Sequence, residues 1–123
     1  MKIRIKGNSI RIRLSRPEVD SFGKGGYLEE RTEFGDKAFI YALQRKEGIS
    51  DLSATFTGEK ITMLVPAGIT REWTTTDNVG YEHNMDTGDG KQLFLLIEKD
   101  FKCIDAPPGE DQSDNYEHPT KVC

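Results

Sequence analysis

Apolar and polar residues alternate on both sides of a Gly7-Asn8 pair at the start of the chain. A period of two is typical of half-buried β-strands, and Gly-Asn between two such runs indicates a tight hairpin turn. The predicted pairing places isoleucines on one face of the hairpin and only cations on the other. The predicted cationic face consists of Lys2, Arg4, Lys6, Arg11 and Arg13.

Further strand patterns follow along the chain. They cover residues 27–34, 38–43, 53–57, 60–65, 79–84 and 92–100. The segments 53–57 and 60–65 repeat the hairpin signal around Gly58-Glu59, and 38–43 and 93–97 are apolar on both sides, as in central strands covered on both faces. The hairpins are the only internal repeat that the sequence shows.

Two short helices are predicted between these strands. Ser15-Arg-Pro-Glu18 is a capping-box pattern that begins a helix over about 16–22, which Gly23 ends. A second helix covers 66–73, where Ile69 and Trp73 form one apolar edge. The order ββ-α-ββ-ββ-α-ββ predicts an α+β fold with a predominantly antiparallel, curved or barrel-like sheet of about eight strands. The predicted core contains Ile5, Ile10, Ile12, Phe39, Tyr41, Leu64, Trp73, Leu95 and Ile97.

The composition divides the chain into a domain and a tail. With 123 residues, 35% hydrophobic and 31% charged, the chain is long enough for one domain with its own core. We expect this domain to span 1–104, and the Pro- and Gly-containing stretch 105–123 to be an acidic tail. Charges from residue 2 onward and the absence of an apolar run of about 18 residues favour a cytoplasmic protein that does not enter a membrane. We expect a monomer or a homodimer.

Charge is distributed unevenly around the net value of −4. Residues 1–16 carry six bases and no acid, whereas residues 105–123 carry five acids and one base. Like charges directly opposite each other on paired strands cost up to about 1 kcal/mol, so the cationic face requires counter-charges or an external anion. Glu29, Glu30 and Glu33 could provide the counter-charges, or the tail could fold back onto the hairpin. The negative net charge makes nucleic acid an unfavourable partner.

Three motifs suggest chemistry, and each has a simpler explanation. Cys103, His118 and Cys123 form the candidate metal set, but their spacing matches no known zinc module, so free thiols are favoured over zinc or a disulfide. Asp86-Thr87-Gly88 matches the tripeptide of aspartic proteases, but its polar flanks favour a turn. The alternating charges resemble those of triphosphate tunnel enzymes, whose Glu-x-Glu-x-Lys signature is absent. We expect no cofactor.

Several stretches resemble a family of small uncharacterised bacterial proteins. They are Lys6-Gly-Asn-Ser-Ile-Arg-Ile-Arg-Leu14, Tyr27-Leu-Glu-Glu30, Thr32-Glu-Phe-Gly35 and Leu96-Ile-Glu-Lys-Asp-Phe-Lys-Cys103. The similarity runs the length of the chain. It implies a single bacterial cytoplasmic domain, and it assigns neither an activity nor a catalytic residue.

The sequence therefore favours a small non-enzymatic binding module. Its cationic hairpin face would bind an anionic ligand or an acidic partner, which could be a protein. One alternative is a small phosphate- or metal-dependent enzyme that uses the arginines together with Glu29 and Glu33. Another is a structural domain held together by zinc. Glutamates that project into a concave pocket beside the arginines would favour the enzyme.

Overall fold

The computed structural model describes residues 1–102 and 116–117 of the chain. Two α-helices occur in this part, α1 (Arg16–Gly25) and α2 (Ala67–Thr75). The strands are β1 (Lys2–Ile5), β2 (Ser9–Leu14), β3 (Tyr27–Glu33), β4 (Ala38–Lys46), β5 (Ser53–Thr57), β6 (Lys60–Pro66), β7 (Gly80–Asp86), β8 (Gln92–Lys99), β9 (Phe101–Lys102) and β10 (Tyr116–Glu117).

Eight of these strands form two four-stranded sheets. The first sheet has the order β1-β2-β8-β7 and the second has the order β3-β4-β6-β5. Each sheet joins two antiparallel hairpins through a central parallel pair, β2 with β8 and β4 with β6. The α+β class, the hairpins and the two short helices are confirmed, and the sheets are not closed into a barrel. Strands β9 and β10 form a separate parallel pair.

The order of elements repeats once along the chain. The first half runs β1-β2-α1-β3-β4 and the second runs β5-β6-α2-β7-β8. Exchanging the two halves converts the strand order of one sheet into that of the other, because each sheet takes the first hairpin of one half and the last hairpin of the other. The two halves therefore repeat each other in strand topology. This repeat is larger than the repeated hairpins that the sequence shows.

The core lies between the inner faces of the two sheets and against the helices. Ile12, Met63, Leu95 and Ile97 are fully buried in one continuous apolar cluster. The cluster also includes Phe22 of α1 and Trp73 of α2, whose rings meet edge to face at a centroid distance of 6.3 Å. The predicted burial is confirmed for Ile10, Ile12, Trp73, Leu95 and Ile97.

Two residues of the predicted core lie elsewhere. Ile5 is 53% exposed because it stands near the open end of the edge strand β1, where little packs on the inner side of the sheet. Leu64 is half-buried because it alternates with the buried Met63 and Val65 and so belongs to the outer face of its sheet. Phe39 and Tyr41 are partly buried and pack against the core.

Helix α1 is longer than the predicted 16–22. Its start agrees with the capping box, since the Glu18 carboxylate accepts the Ser15 N–H at 2.9 Å. Gly23 does not end the helix: a Cβ at this position would lie 3.0 Å from the Thr74 side chain, so glycine allows α1 to approach α2 closely. The helix ends before Gly26, which adopts a left-handed conformation with φ 74° and donates its N–H to Phe22 O.

The predicted domain boundary and most of the predicted tail lie outside the described residues. This includes the expected return of the tail onto the hairpin. Of the segment 105–123, only Tyr116–Glu117 is described, as the strand that pairs with Phe101–Lys102. No helix of the described chain is long and apolar enough to cross a membrane.

Candidate functional site

The five predicted cations share the outer face of the first sheet, and we call them the basic face. Lys2 and Arg4 lie two residues apart on β1, Lys6 directly follows the end of this strand, and Arg11 and Arg13 lie two residues apart on β2. The strand register places Arg4 directly opposite Arg11 and Lys2 directly opposite Arg13. The local cause is the turn: Lys6 N–H donates to Ser9 O at 3.2 Å, and Gly7 takes φ 53°, which a turn of this kind requires.

Carboxylates from β8 and its C-terminal end contact part of the basic face. Glu98 lies next to Arg13 in the parallel pair β2–β8, and its Oε1 is 2.5 Å from Arg13 Nε and 3.6 Å from Arg11 Nε. Asp100 Oδ2 is 3.0 Å from Lys2 Nζ. These two acids anchor the lower part of the basic face. The local sequence pattern does not predict these two acids, because their position depends on the pairing of strands about 85 residues apart.

In the described part of the chain, fewer carboxylates lie beside the upper part of the basic face, which is the end of the hairpin near the turn, with Arg4 and Lys6. Arg4 and Lys6 have no ion pair with any residue in the described part of the chain, and Arg4 is exposed. Two adjoining depressions of about 210 and 220 Å³ run along the basic face from its lower to its upper part. One is lined by Lys2, Ile3, Arg4, Arg11 and Arg13, and the other by Arg4, Lys6, Ser9, Ile10, Arg11 and Phe94. Arg4 and Arg11 line both, so their cationic side chains stand at the centre of the open surface.

The predicted counter-charges are not brought to the basic face. Glu29 and Glu33 lie on β3, which belongs to the second sheet, and each is within ion-pair distance of Arg31. Glu29 also lies 3.4 Å from Lys60, and the hydrogen bond from the Tyr27 hydroxyl lowers the pKa of this carboxyl. This outer face of the second sheet is therefore neutralised by its own residues.

Glu30 points to the other side of β3 from Glu29 and lies 3.7 Å from the Met1 ammonium group. The same ammonium group donates a hydrogen bond to Glu18 of α1. Burial raises the pKa of Glu18, but this bond and the Ser15 N–H outweigh it, and the pKa is below its ordinary value. Glu30 and Glu18 thus hold the start of β1 and do not form part of the basic face.

The other candidate chemistry receives no site in the described residues. Within residues 1–102 and 116–117, no group of three His, Cys, Asp or Glu side chains could hold a metal ion. Cys103, His118 and Cys123 lie outside this part, so the structure does not test zinc. Asp86 caps an exposed turn by accepting the Gly88 N–H at 2.9 Å, which explains the Asp-Thr-Gly tripeptide by turn geometry.

Comparison with known proteins gives one match. A family model described as a family of unknown function, DUF7009, matches residues 1–120. The match covers the predicted domain and nearly all of the predicted tail. No curated protein and no solved structure matches the chain.

Proposed function

We propose a binding function for this chain, which belongs to the DUF7009 family. The resemblance to an uncharacterised family is thereby confirmed, and the function itself is inferred from the geometry of the basic face. In this proposal the protein is a non-enzymatic module of the bacterial cytoplasm, and its basic face binds an anionic ligand or an acidic surface of a partner protein. The central contacts come from Arg4 and Arg11.

The observation that carries the proposal is the position of Arg4. It stands directly opposite Arg11, lines both depressions and has no ion pair with a described residue. Opposed like charges destabilise a strand pair, and among the described residues Glu98 relieves this repulsion on the side of Arg11 and Arg13. A bound anion between Arg4 and Arg11 would relieve the remaining repulsion and gain two charge-assisted contacts.

The enzyme alternative needs carboxylates beside the arginines in a concave pocket. Glu29 and Glu33 are on the other sheet and are engaged with Arg31. Glu98 is the carboxylate that lies next to the arginines, and it is paired with Arg13 at 2.5 Å. The arrangement therefore supports binding of an external anion more than it supports metal-assisted chemistry.

Calorimetric titration with inorganic tripolyphosphate tests the proposal. Replacing both central arginines (Arg4→Gln with Arg11→Gln) should weaken binding at least tenfold. The matched control removes two exposed lysines from turns elsewhere (Lys37→Gln with Lys91→Gln) and changes the net charge by the same amount. This control should bind like the wild type.

A thermal-shift series provides an independent measurement, because a ligand at 100 times its dissociation constant adds about 2.7 kcal/mol to stability. Equal losses in the arginine and lysine variants would show that only net charge matters. Absence of binding to tripolyphosphate in both measurements would contradict the proposal.

A further inference from the structure

We propose that β1 is a docking edge for an extended acidic segment of a partner protein, which adds to the first sheet as a fifth strand. The segment would alternate acidic and apolar residues. This inference rests on the proposed function, because it identifies the partner that the basic face binds. It adds a backbone contact and an apolar contact that anion binding alone does not require.

The backbone of β1 has one side available for pairing. In the order β1-β2-β8-β7, β1 is an edge strand, and its pairing with described residues is with β2. The hydrogen bond from Lys6 N–H to Ser9 O makes Lys6 and Ser9 a hydrogen-bonded pair, and this sets which residue pairs of the hairpin are hydrogen-bonded. Because hydrogen-bonded and non-hydrogen-bonded pairs alternate, the N–H and C=O groups of Ile3 and Ile5 point away from β2. These groups can pair with an added strand.

The two faces of this edge differ in chemistry. On the outer face, Lys2, Arg4 and Lys6 recur at every second residue, about 6.8 Å apart in a regular strand. On the inner face, Ile5 is 53% exposed and borders an apolar depression of about 300 Å³. Phe56 of the β5–β6 hairpin, which is 71% exposed, lines the same depression.

A strand with acids on one side and apolar residues on the other fits both faces at once. Its side chains alternate with the same period as those of β1, so acids would meet the cations while apolar side chains enter the depression beside Ile5 and Phe56. A polyphosphate or a nucleic acid strand would use the cations alone and would leave the apolar depression exposed. The net charge of −4 also opposes the approach of a long polyanion.

Cations on an edge strand have a second effect. They repel the same edge of another copy, which is a common way to prevent edge-to-edge association. An acidic strand would be attracted by the same three cations. They would therefore favour the proposed partner over strand β1 of another copy. The other edge strand, β7, carries Glu82 and Asp86 on its outer face. The β7 edge of a second copy could therefore compete for β1, and the experiment must distinguish it from the proposed partner.

Three short capped peptides test the inference by calorimetry with the full chain. The first alternates glutamate with valine. The second has the same composition with its glutamates grouped at one end. The third is the alternating peptide with every valine N-methylated, which removes hydrogen-bond donors and keeps the charge. The alternating peptide should bind at least tenfold more tightly than the other two, and it should slow amide exchange of Ile3 and Ile5.

A pair of variants tests the same edge from the side of the protein. Ile5→Pro removes an outward N–H and leaves the hydrogen bonds to β2 intact, whereas Ile5→Ala keeps this N–H and shortens the side chain. Ile5→Pro should reduce alternating-peptide binding to the level of the grouped peptide, and Ile5→Ala should reduce it by a smaller factor. Both variants should bind tripolyphosphate like the wild type.

The outcomes separate this inference from the function on which it rests. Equal binding of the three peptides, with tripolyphosphate binding intact, would overturn strand addition and leave the anion-binding proposal standing. Loss of all binding would overturn both. Concentration-dependent self-association of the wild type that Ile5→Pro abolishes would assign the edge to a second copy, which also overturns this inference. The N-methylated peptide keeps the test decisive if Ile5→Pro does not fold.

Discussion

The hairpins β1–β2 and β5–β6 occupy equivalent positions in the two halves of the molecule, and their inner faces are alike. Counting back from the helix that follows each hairpin, three inner positions of β2 correspond to three of β6, and all six residues are buried. The pairs are Ile10 with Ile61, Ile12 with Met63, and Leu14 with Val65. The outer faces differ, since Arg11 corresponds to Thr62 and Arg13 to Leu64.

The partner strands extend the comparison. Ile97 on β8 lies opposite Ile12, and Leu43 on β4 lies opposite Met63. One residue further, Glu98 of the first sheet corresponds to Gln44 of the second. The fold therefore requires the apolar inner positions in both sheets, and it forms the same strand arrangement with or without the cations. The basic face is a property added to one of two equivalent positions, which is why we assign it to function.

The largest effects are expected where the two halves are alike. Ile97→Ala and Leu43→Ala each remove a fully buried side chain from the central pair of one sheet. Each should lower the free energy of unfolding by about 2–5 kcal/mol, as measured by urea denaturation. A loss below about 0.5 kcal/mol in either variant would mean that the buried side chains on the inner face of that sheet do not stabilise the protein as expected.

An intermediate effect is expected where the helices differ. Glu18 closes the capping box of α1, whereas the equivalent position in α2 is Ile69 and the N-cap is Pro66. Glu18→Gln keeps a side-chain oxygen that can accept the Ser15 N–H, but it removes the negative charge that pairs with the Met1 ammonium group, and it should cost up to about 1 kcal/mol at pH 7. Denaturation at several pH values measures this cost.

The pH dependence of that variant follows from the sign of the shift. The pKa of Glu18 is lowered from its ordinary value of 4.5 in the folded protein. Its contribution is therefore present above pH 4.5 and is lost as the pH falls through the lower folded value. The loss of stability on acidification should be smaller in Glu18→Gln than in the wild type. Asp20→Asn, an exposed change on the same helix, is the matched control for the loss of one carboxylate charge.

The smallest effect on stability should come from replacing outer-face residues of the first sheet with the equivalent residues of the second sheet. The triple variant Arg11→Thr, Arg13→Leu and Glu98→Gln gives the first sheet the residues of the second. Because partly exposed ion pairs contribute about 0–1 kcal/mol each, the free energy of unfolding should change by no more than about 1 kcal/mol. Binding of tripolyphosphate should fall at least tenfold. A large loss of stability would show that the ion pairs are needed for folding, and it would contradict the comparison.

The local parts of the fold were predictable from the sequence. The alternation around Gly7-Asn8 and the Ser15 to Glu18 pattern each depend on residues close in the chain, and both predictions hold. The length of α1 was not predictable in this way, because Gly23 is explained by the approach of α2 and not by its intrinsic tendency to end helices. Local patterns therefore identify elements better than they identify their contacts.

The candidate site was predictable in part for the same reason. The five cations follow from one hairpin and its period of two. The partners of these cations depend on β2 lying beside β8 in parallel, which no local pattern specifies. The sequence therefore does not predict Glu98 and offers Glu29, Glu30 and Glu33 in its place. The exposure of Ile5 similarly depends on its being at the edge of a sheet whose strand order the sequence does not give.

The parallel pair β2–β8 also imposes an order of events during synthesis. The second sheet can be completed once residues 27–66 have emerged from the ribosome, whereas β2 must wait for strand Gln92–Lys99. The separation of 85 residues corresponds to a delay of roughly 4–17 s at ordinary translation rates. An isolated two-stranded hairpin is marginal in water, so we expect β1–β2 to gain lasting support only when β8 arrives, and the repulsion among its cations would meanwhile oppose the association of nascent hairpins.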